Sequence, residues 1–168
     1  PLAVINEEMI PALDEAGKGF EAGTIFLPQL LMSAEAAKAA FAVIKERLEE
    51  SGQEQESAGT VLLATVKGDI HDIGKNIVKV LLENYGFRVL DLGRDVAPET
   101  IVKETVKGHV QAVGLSALMT TTVPAMEETI KLLRKEAPCA RIMVGGAVLT
   151  EEYAAAIGAD AYCKDAMA

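Results

Sequence analysis

A histidine flanked by two carboxylates is the feature of this sequence best suited to chemistry. Asp69, His71 and Asp72 lie close together in the stretch from Thr65 to Asn76. When a carboxylate holds one imidazole nitrogen, the other is oriented to bind a metal ion, the usual arrangement of a metal-ligating histidine. A simpler interpretation also remains open, in which Asp69 or Asp72 caps a helix beside a surface histidine.

Two further segments carry small and hydroxyl-bearing residues at the ends of apolar runs. The run that begins at Val113 leads into Ser116, and the run that begins at Ile142 ends in Gly145 and Gly146. Ligands of open parallel sheets bind at the carboxyl ends of the strands. Glycine lets a ligand approach the backbone closely, although a tight turn would also explain the glycine pair. The three segments together predict one binding site.

Apolar periodicity and turn residues predict the elements that position these groups. Strands are predicted at about 60–65, 88–91, 112–116, 141–144 and 160–163, and helices at about 73–85, 98–107, 124–136 and 150–157. This alternation is typical of an α/β fold with a doubly wound parallel sheet, and five strands favour the flavodoxin-like order 2-1-3-4-5. The first and third strands are then neighbours, so His71 and Ser116 should face each other.

The amino-terminal part is predicted to be helical. Apolar spacing indicates a helix to about Phe20, in which Pro11 either makes a kink or starts a second segment. A long helix then runs from about Pro28 to about Glu50. We expect a helical region at 1–51, a linker at 52–59 and an α/β domain at 60–168. Both ends look cut, which favours a fragment of a longer protein.

Composition narrows the classes of partner. The formal net charge of −9 argues against binding to a nucleic-acid backbone. No signal peptide is recognised, and no apolar run approaches the roughly 20 residues of a membrane span. Cys139 and Cys163 lack metal-finger spacing and are predicted to be buried residues in a reducing compartment. We therefore expect a cytoplasmic protein that binds neither nucleic acid nor membrane.

Taken together, the three motifs resemble the cobalamin-binding module of corrinoid methyltransferases. The family fingerprint of Asp-x-His-x-x-Gly, Ser-x-Leu and Gly-Gly is present here as Asp69-x-His71-x-x-Gly74, Ser116-x-Leu118 and Gly145-Gly146. Within that family, the stretches 68–77 and 26–29 look most similar to methionine synthase. The resemblance covers essentially the whole chain. It implies that residues 1–51 form a partial helical-bundle cap, and that the α/β domain lacks its last helix.

The resemblance also implies roles for individual residues. His71 would be the lower axial ligand of the cobalt of cobalamin, Asp69 would accept its other ring N–H, and Thr122 would extend this chain where methionine synthases often have serine. Phe20 and Leu27 would cover the upper face of the cofactor. The other implied cofactor contacts are Gly68, Ile70, Asp72, Gly74, Ser116, Leu118, Thr120, Gly145, Gly146, Ala166 and Asn6, although some family members have glutamate at the last position.

The leading hypothesis from this resemblance is the methyl-carrier module of a methionine synthase. It would take a methyl group from methyltetrahydrofolate and pass it to homocysteine by way of methylcobalamin. The implied partners are the modules that bind those two substrates and a reductive activation partner. The alternative is a free-standing corrinoid protein that serves methanol, methylamine or aryl-ether methyltransferases. A cobalamin-dependent sensor is less favoured because no basic DNA-binding region is recognised, and a radical mutase because of the helical cap.

Overall fold

A five-stranded parallel sheet with helices between its strands forms the larger part of the protein. The computed structural model describes residues 4–50 and 58–164. The strands are β1 (Thr60–Thr65), β2 (Arg88–Asp91), β3 (Ala112–Ser116), β4 (Arg141–Gly145) and β5 (Ala161–Cys163). They lie in the order β2-β1-β3-β4-β5, and every pairing is parallel. The predicted flavodoxin-like doubly wound sheet is confirmed.

The chain reaches each next strand through a helix. The helices of this part are α3 (Ile73–Asn84), α4 (Pro98–Lys107), α5 (Val123–Glu136) and α6 (Glu151–Ala156). The observed bounds differ from the predicted ones by one residue at most at each end. For example, β5 begins after Asp160, because the Asp160 carboxylate accepts a 2.7 Å hydrogen bond from the backbone N–H of Ile142 and a 2.8 Å bond from Arg134. That side chain fixes the turn before the strand.

The two faces of the sheet are packed differently. On one face, apolar side chains of β1, β3 and β4 are fully buried with those of α4 and α5, including Leu62, Val113, Ile142, Ile101 and Met126. On the other face, alternate residues of β3 and β4 are only half-buried. The strand register aligns Gly114 with Leu63 and Met143, and Ser116 with Thr65 and Gly145. Because Gly114, Ser116 and Gly145 are small, this face has a groove, whereas the first face has a solid core.

Two helices precede the sheet. A π-helical turn (Ile5–Met9) leads into α1 (Ile10–Glu21), and α2 (Leu27–Glu50) follows. Pro11 lies in the first turn of α1, directly after the π-helical turn, and Met9 at the end of that turn has helical backbone angles (φ −75°, ψ −46°). The helical path therefore continues through this proline, and the hydrogen-bond pattern changes from π to α beside it. Leu13, Leu30 and Ala34 are buried. The division into cap, linker and cobalamin domain stays a prediction, and residues 51–57 lie outside the described part.

Two expectations from composition are corrected. Cys139 is exposed, because it lies in the turn between α5 and β4, and Cys163 is half-buried.

One helical segment among the described residues, Leu27–Ile44, is 18 residues long with a mean hydropathy of 1.2, which suffices by length and composition alone for a membrane span. A single segment of this kind is weak support for membrane insertion, although only 12% of it is buried inside the protein.

Candidate functional site

A large cavity lies where α1, α2 and α3 meet the carboxyl edge of the sheet. Its volume is about 1010 Å³, at the upper end of the roughly 300–1,000 Å³ that is typical of small-molecule sites. The half-buried face of the sheet contributes Leu63, Gly114 and Met143, and α3 contributes its apolar side. Phe20 and Leu27 line the cavity from the helical region. The site therefore suits a large and largely apolar ligand.

The loop between β1 and α3, residues 66–72, carries His71 to the wall of this cavity; we call it the histidine loop. The loop turns at Gly68, which has a φ of +84°. Asp69 is completely buried, whereas the His71 side chain is 45% exposed and lines the cavity. Asp72 precedes the first residue of α3 but its side chain makes no capping hydrogen bond. Of the alternative with a capped helix beside a surface histidine, the structure therefore lacks the cap by Asp72, whereas the exposure of His71 is compatible with both interpretations.

Asp69 joins the histidine loop to the end of β3. Its Oδ1 atom accepts hydrogen bonds from the backbone N–H and ring Nδ1 of His71, at 3.0 and 2.8 Å. Its Oδ2 atom accepts from the backbone N–H groups of Leu118 and Met119, at 2.7 and 3.2 Å. The carboxylate is therefore surrounded by donors that belong to two neighbouring strand ends.

These donors fix the charge of Asp69 and the tautomer of His71. Burial alone would raise the pKa of this carboxyl, but hydrogen bonds from the backbone of His71 and Leu118, then from the His71 ring and Thr122, hold it well below its usual range. An ionised carboxylate only accepts hydrogen bonds. In the neutral ring, Nδ1 must therefore carry the hydrogen, which leaves the Nε2 lone pair free for a metal ion.

Thr122 lies on the far side of Asp69 from His71. The hydroxyl oxygen is 2.9 Å from Asp69 Oδ2 and 2.8 Å from the backbone oxygen of Met119. A hydroxyl has one hydrogen, so Thr122 divides it between these two acceptors. The residue is buried at the end of a 3₁₀ turn (Thr120–Thr122). The predicted chain of His71, Asp69 and Thr122 is present as contacts, and its role as a relay stays a prediction.

Gly145 and Gly146 at the end of β4 line the cavity, and neighbouring backbone atoms also leave no room for a side chain at either position. Gly146 has a φ of +136°, and a Cβ atom there would lie 1.8 Å from the backbone oxygen of Ala117. A Cβ atom on Gly145 would lie 3.1 Å from the backbone oxygen of Cys163. The two interpretations of this pair, a tight turn and a surface without side chains, are therefore compatible.

Most of the residues singled out from the sequence come together at the cavity. Those that line it are Phe20, Leu27, Ile70, His71, Asp72, Gly74, Ser116, Leu118, Gly145 and Gly146. Asp69 and Thr122 are buried behind this lining. Gly68 and Thr120 are exposed and do not line the cavity, so their contacts with the cofactor stay predictions. The side chain of Asn6 and all of Ala166 lie outside the described part.

Sequence reasoning missed several lining residues. Gly114 lies inside β3 and faces the cavity, and a glycine within a strand is a recognised sign of close approach by a ligand. Ile77 and Leu81 of α3 follow helical spacing, which cannot distinguish a cavity wall from a core. Lys75 and Arg94 also line the cavity, and no local pattern marks them.

Comparisons with known proteins agree on one kind of ligand. Two family models, each described as a B12 binding domain, match residues 59–168 and 1–45. The dimethylamine corrinoid protein 1 of Methanosarcina acetivorans is 39% identical over 168 residues, which are 99% of this chain and 78% of that protein.

Solved structures with the same fold point the same way. A cobalamin-binding protein from Desulfitobacterium hafniense matches with a TM-score of 0.79 and 32% identity, over 92% of this chain and 73% of that chain. The methanol:cobalamin methyltransferase complex of Methanosarcina barkeri matches with a TM-score of 0.80 and 32% identity, over 99% of this chain and 64% of that chain.

Proposed function

The chain belongs to the B12 binding domain family, and from this premise we propose that it is a corrinoid protein that carries methyl groups for a methylamine or methanol methyltransferase. The observation that supports this most is His71, which exposes a free Nε2 atom at the cavity while buried Asp69 holds Nδ1. The relative named for dimethylamine and the complex named for methanol favour the free-standing alternative. Neither supports a methionine synthase, so modules for methyltetrahydrofolate and homocysteine are not proposed as partners.

The residues present fit cobalamin. Cobalamin carries a cobalt ion, and imidazole nitrogen is a suitable protein ligand for that metal, so His71 at the cavity wall would hold it. An extended part of the cofactor would lie against the sheet in the groove over Gly114, Ser116 and Gly145. The Ser116 hydroxyl is fixed at the groove wall by a 2.8 Å hydrogen bond to the hydroxyl of Thr65.

When bound, cobalamin supplies a cobalt centre that accepts a methyl group and passes it on. The chain itself binds and orients this group. His71 would ligate the metal, Asp69 would fix the orientation of the ring, and Phe20 and Leu27, which line the cavity from the helical region, would exclude water. The methyl donor and acceptor bind to partner methyltransferases, and a reductive activation partner restores the cofactor. We place the protein in the cytoplasm with these partners.

Reconstitution with cobalamin tests the proposed function. The loaded protein is first treated with a strong chemical reductant, because the cobalt of cobalamin accepts a methyl group only in its reduced state. It is then mixed with the methanol or a methylamine methyltransferase of a Methanosarcina species and the corresponding substrate, and cofactor methylation is followed by absorbance. We expect methylation with at least one of these pairs, and none with methyltetrahydrofolate and its transferase. Failure to bind cobalamin, or methylation by the folate pair alone, would contradict the proposal.

Substitution of Gly74 separates cofactor binding from folding. A Cβ atom at this position meets no atom within 4 Å, and the residue lies in the first turn of α3 on the cavity wall. Gly74→Ala should therefore leave the stability of the cofactor-free protein unchanged or raise it by up to about 1 kcal/mol. Overpacking against the bound cofactor should cost about 1–3 kcal/mol, roughly tenfold or more in affinity.

Urea denaturation and cobalamin titration of the same preparation check both parts of this prediction. An unchanged dissociation constant for cobalamin would show that the cofactor does not lie against Gly74. A large loss of stability without cofactor would show instead that this glycine serves the fold.

A further inference from the structure

We propose that Lys75, through its buried ion pair with Asp91, is a positioning residue that fixes the carboxyl-terminal end of the histidine loop and keeps His71 at the cavity, a role that rests on the proposed function. Lys75 follows His71 by four residues and lies in the first turn of α3. Asp91 is the last residue of β2. The pair therefore joins the helix that follows the loop to the neighbouring strand end.

The ion pair is short and joins a buried lysine to a carboxylate that is 17% exposed. The Lys75 side chain is 2% exposed, and its Nζ atom lies 2.6 Å from Asp91 Oδ1 and 2.8 Å from Asn76 Oδ1. Asp91 also accepts a 2.9 Å hydrogen bond from the backbone N–H of Gly93. Burial would raise the pKa of Asp91, but the Lys75 hydrogen bond, the Gly93 N–H and the nearby ammonium groups lower it. The carboxylate and ammonium are each held in one place.

A buried ion pair is often no more stabilising than well-packed apolar residues of similar size. Its presence is therefore better explained by the geometry that it enforces. The start of α3 has few other restraints: Asp72 makes no capping hydrogen bond, Ile73 is 75% exposed, and Gly74 has no side chain. Lys75 is the first residue of this helix whose side chain is buried.

The strand that supplies Asp91 also supports the other end of the histidine loop. After β2, the Asp95 carboxylate accepts a 2.7 Å hydrogen bond from the backbone N–H of Gly68, and the Asp95 N–H donates to the backbone oxygen of Asp69 at 3.0 Å. Residues 68 and 75 are thus both tied to the segment 91–95. His71 lies between two anchored points, and loss of the Lys75 anchor frees one of them.

Lys75→Met removes the ammonium group and keeps an unbranched side chain, and Lys79→Met is the matched control. Lys79 contacts the same carboxylate, with its Nζ atom 3.5 Å from Asp91 Oδ2, but its side chain is 36% exposed and does not line the cavity. The first measurement is hydrogen exchange in the cofactor-free protein at the amides of His71 and Asn76. These amides donate to Asp69 and Asp72. The second is the dissociation constant for cobalamin.

In Lys75→Met we expect exchange at these two amides to accelerate, core amides of β3 to stay protected, and cobalamin affinity to fall by about 10–100-fold. Lys79→Met should match the wild type in each measurement. If Lys75→Met fails to fold, the double variant Lys75→Met/Asp91→Asn replaces it, since it removes both charges of the Lys75–Asp91 pair and keeps an acceptor for Gly93.

If Lys75→Met, or the double variant, has the hydrogen-exchange rates and the cobalamin affinity of the wild type, the proposal is overturned. Equal effects of Lys75→Met and Lys79→Met would also overturn it. The loss of any positive charge near Asp91 would then explain the result, and Lys75 would have no role of its own. Hydrogen exchange is measured without cofactor, so it tests Lys75 even if the wild type fails to bind cobalamin. That failure would count against the proposed function alone.

Discussion

Asp69→Asn is expected to weaken cobalamin binding by about 10–100-fold, the usual effect of removing the partner of a metal-ligating histidine. The reason is the number of donors around this carboxylate. In one orientation of the asparagine, its NH₂ group opposes the N–H groups of Leu118 and Met119. In the other orientation it donates to Nδ1 of His71, which moves the ring hydrogen to Nε2 and blocks the metal-binding lone pair.

The same substitution should cost stability in the absence of cofactor. At least one buried donor loses its acceptor in either orientation, so we expect a loss of about 2–4 kcal/mol near neutral pH. Because the folded-state pKa of Asp69 is lowered, its contribution is present above the unfolded pKa of about 3.9 and is lost as the pH falls below it. The difference between wild type and variant should therefore shrink below about pH 4.

Asp72→Asn is the matched control, since it removes the same charge next to His71 from a side chain that makes no capping hydrogen bond. Urea denaturation at several pH values and cobalamin titration measure the two effects. If Asp69→Asn and Asp72→Asn behave alike in both assays, Asp69 does not orient the histidine.

Gly146→Ala is expected to have the largest effect on folding. The new methyl group would lie 1.8 Å from the backbone oxygen of Ala117, and the residue has a φ of +136°, so no side-chain rotation relieves the contact. We expect a loss of about 4 kcal/mol or more, a large part of the 5–15 kcal/mol that is typical of a domain. Thermal and urea denaturation measure this loss.

Gly86→Ala provides the comparison for Gly146→Ala. Gly86 also has a positive φ, +81°, but a Cβ atom there meets nothing within 4 Å. Gly86→Ala should therefore lose only the stability that corresponds to the strain of a left-handed alanine, about 1–2 kcal/mol. Equal stability losses for the two variants would mean that the contact with Ala117 is not the cause.

The fold was largely predictable because its signals are local. The bounds of β1, β2 and β3 follow apolar runs that turn residues interrupt, and regular alternation with helices leads to the strand order. Spacing placed both Asp69 and Asp72 within two residues of His71, and the family resemblance selected Asp69, which is the carboxylate that contacts the ring. In contrast, Lys75 and Asp91 are 16 residues apart on different elements, and no pattern in either segment indicates that they pair.

The partner class was harder to predict for a physical reason. His71, Ser116 and Gly145 line the cavity proposed for the cofactor, and motifs that serve a cofactor do not distinguish the methyl donors of the proteins that share it. The methionine synthase interpretation came from such shared residues. Similarity to a dimethylamine corrinoid protein covers 99% of this chain and so includes residues outside these motifs, and this similarity is what favours the methylamine class.

The proposed bond from His71 Nε2 to cobalt is tested most directly by electron paramagnetic resonance of the protein loaded with cobalamin in its paramagnetic cobalt(II) state. Wild type and His71→Ala are each prepared with ordinary histidine and with histidine that carries a heavy nitrogen isotope. We predict that the label changes the nitrogen splitting of the wild-type cobalt signal and leaves that of His71→Ala unchanged. A wild-type signal that does not respond to labelled histidine would contradict the assignment of His71 as the cobalt ligand.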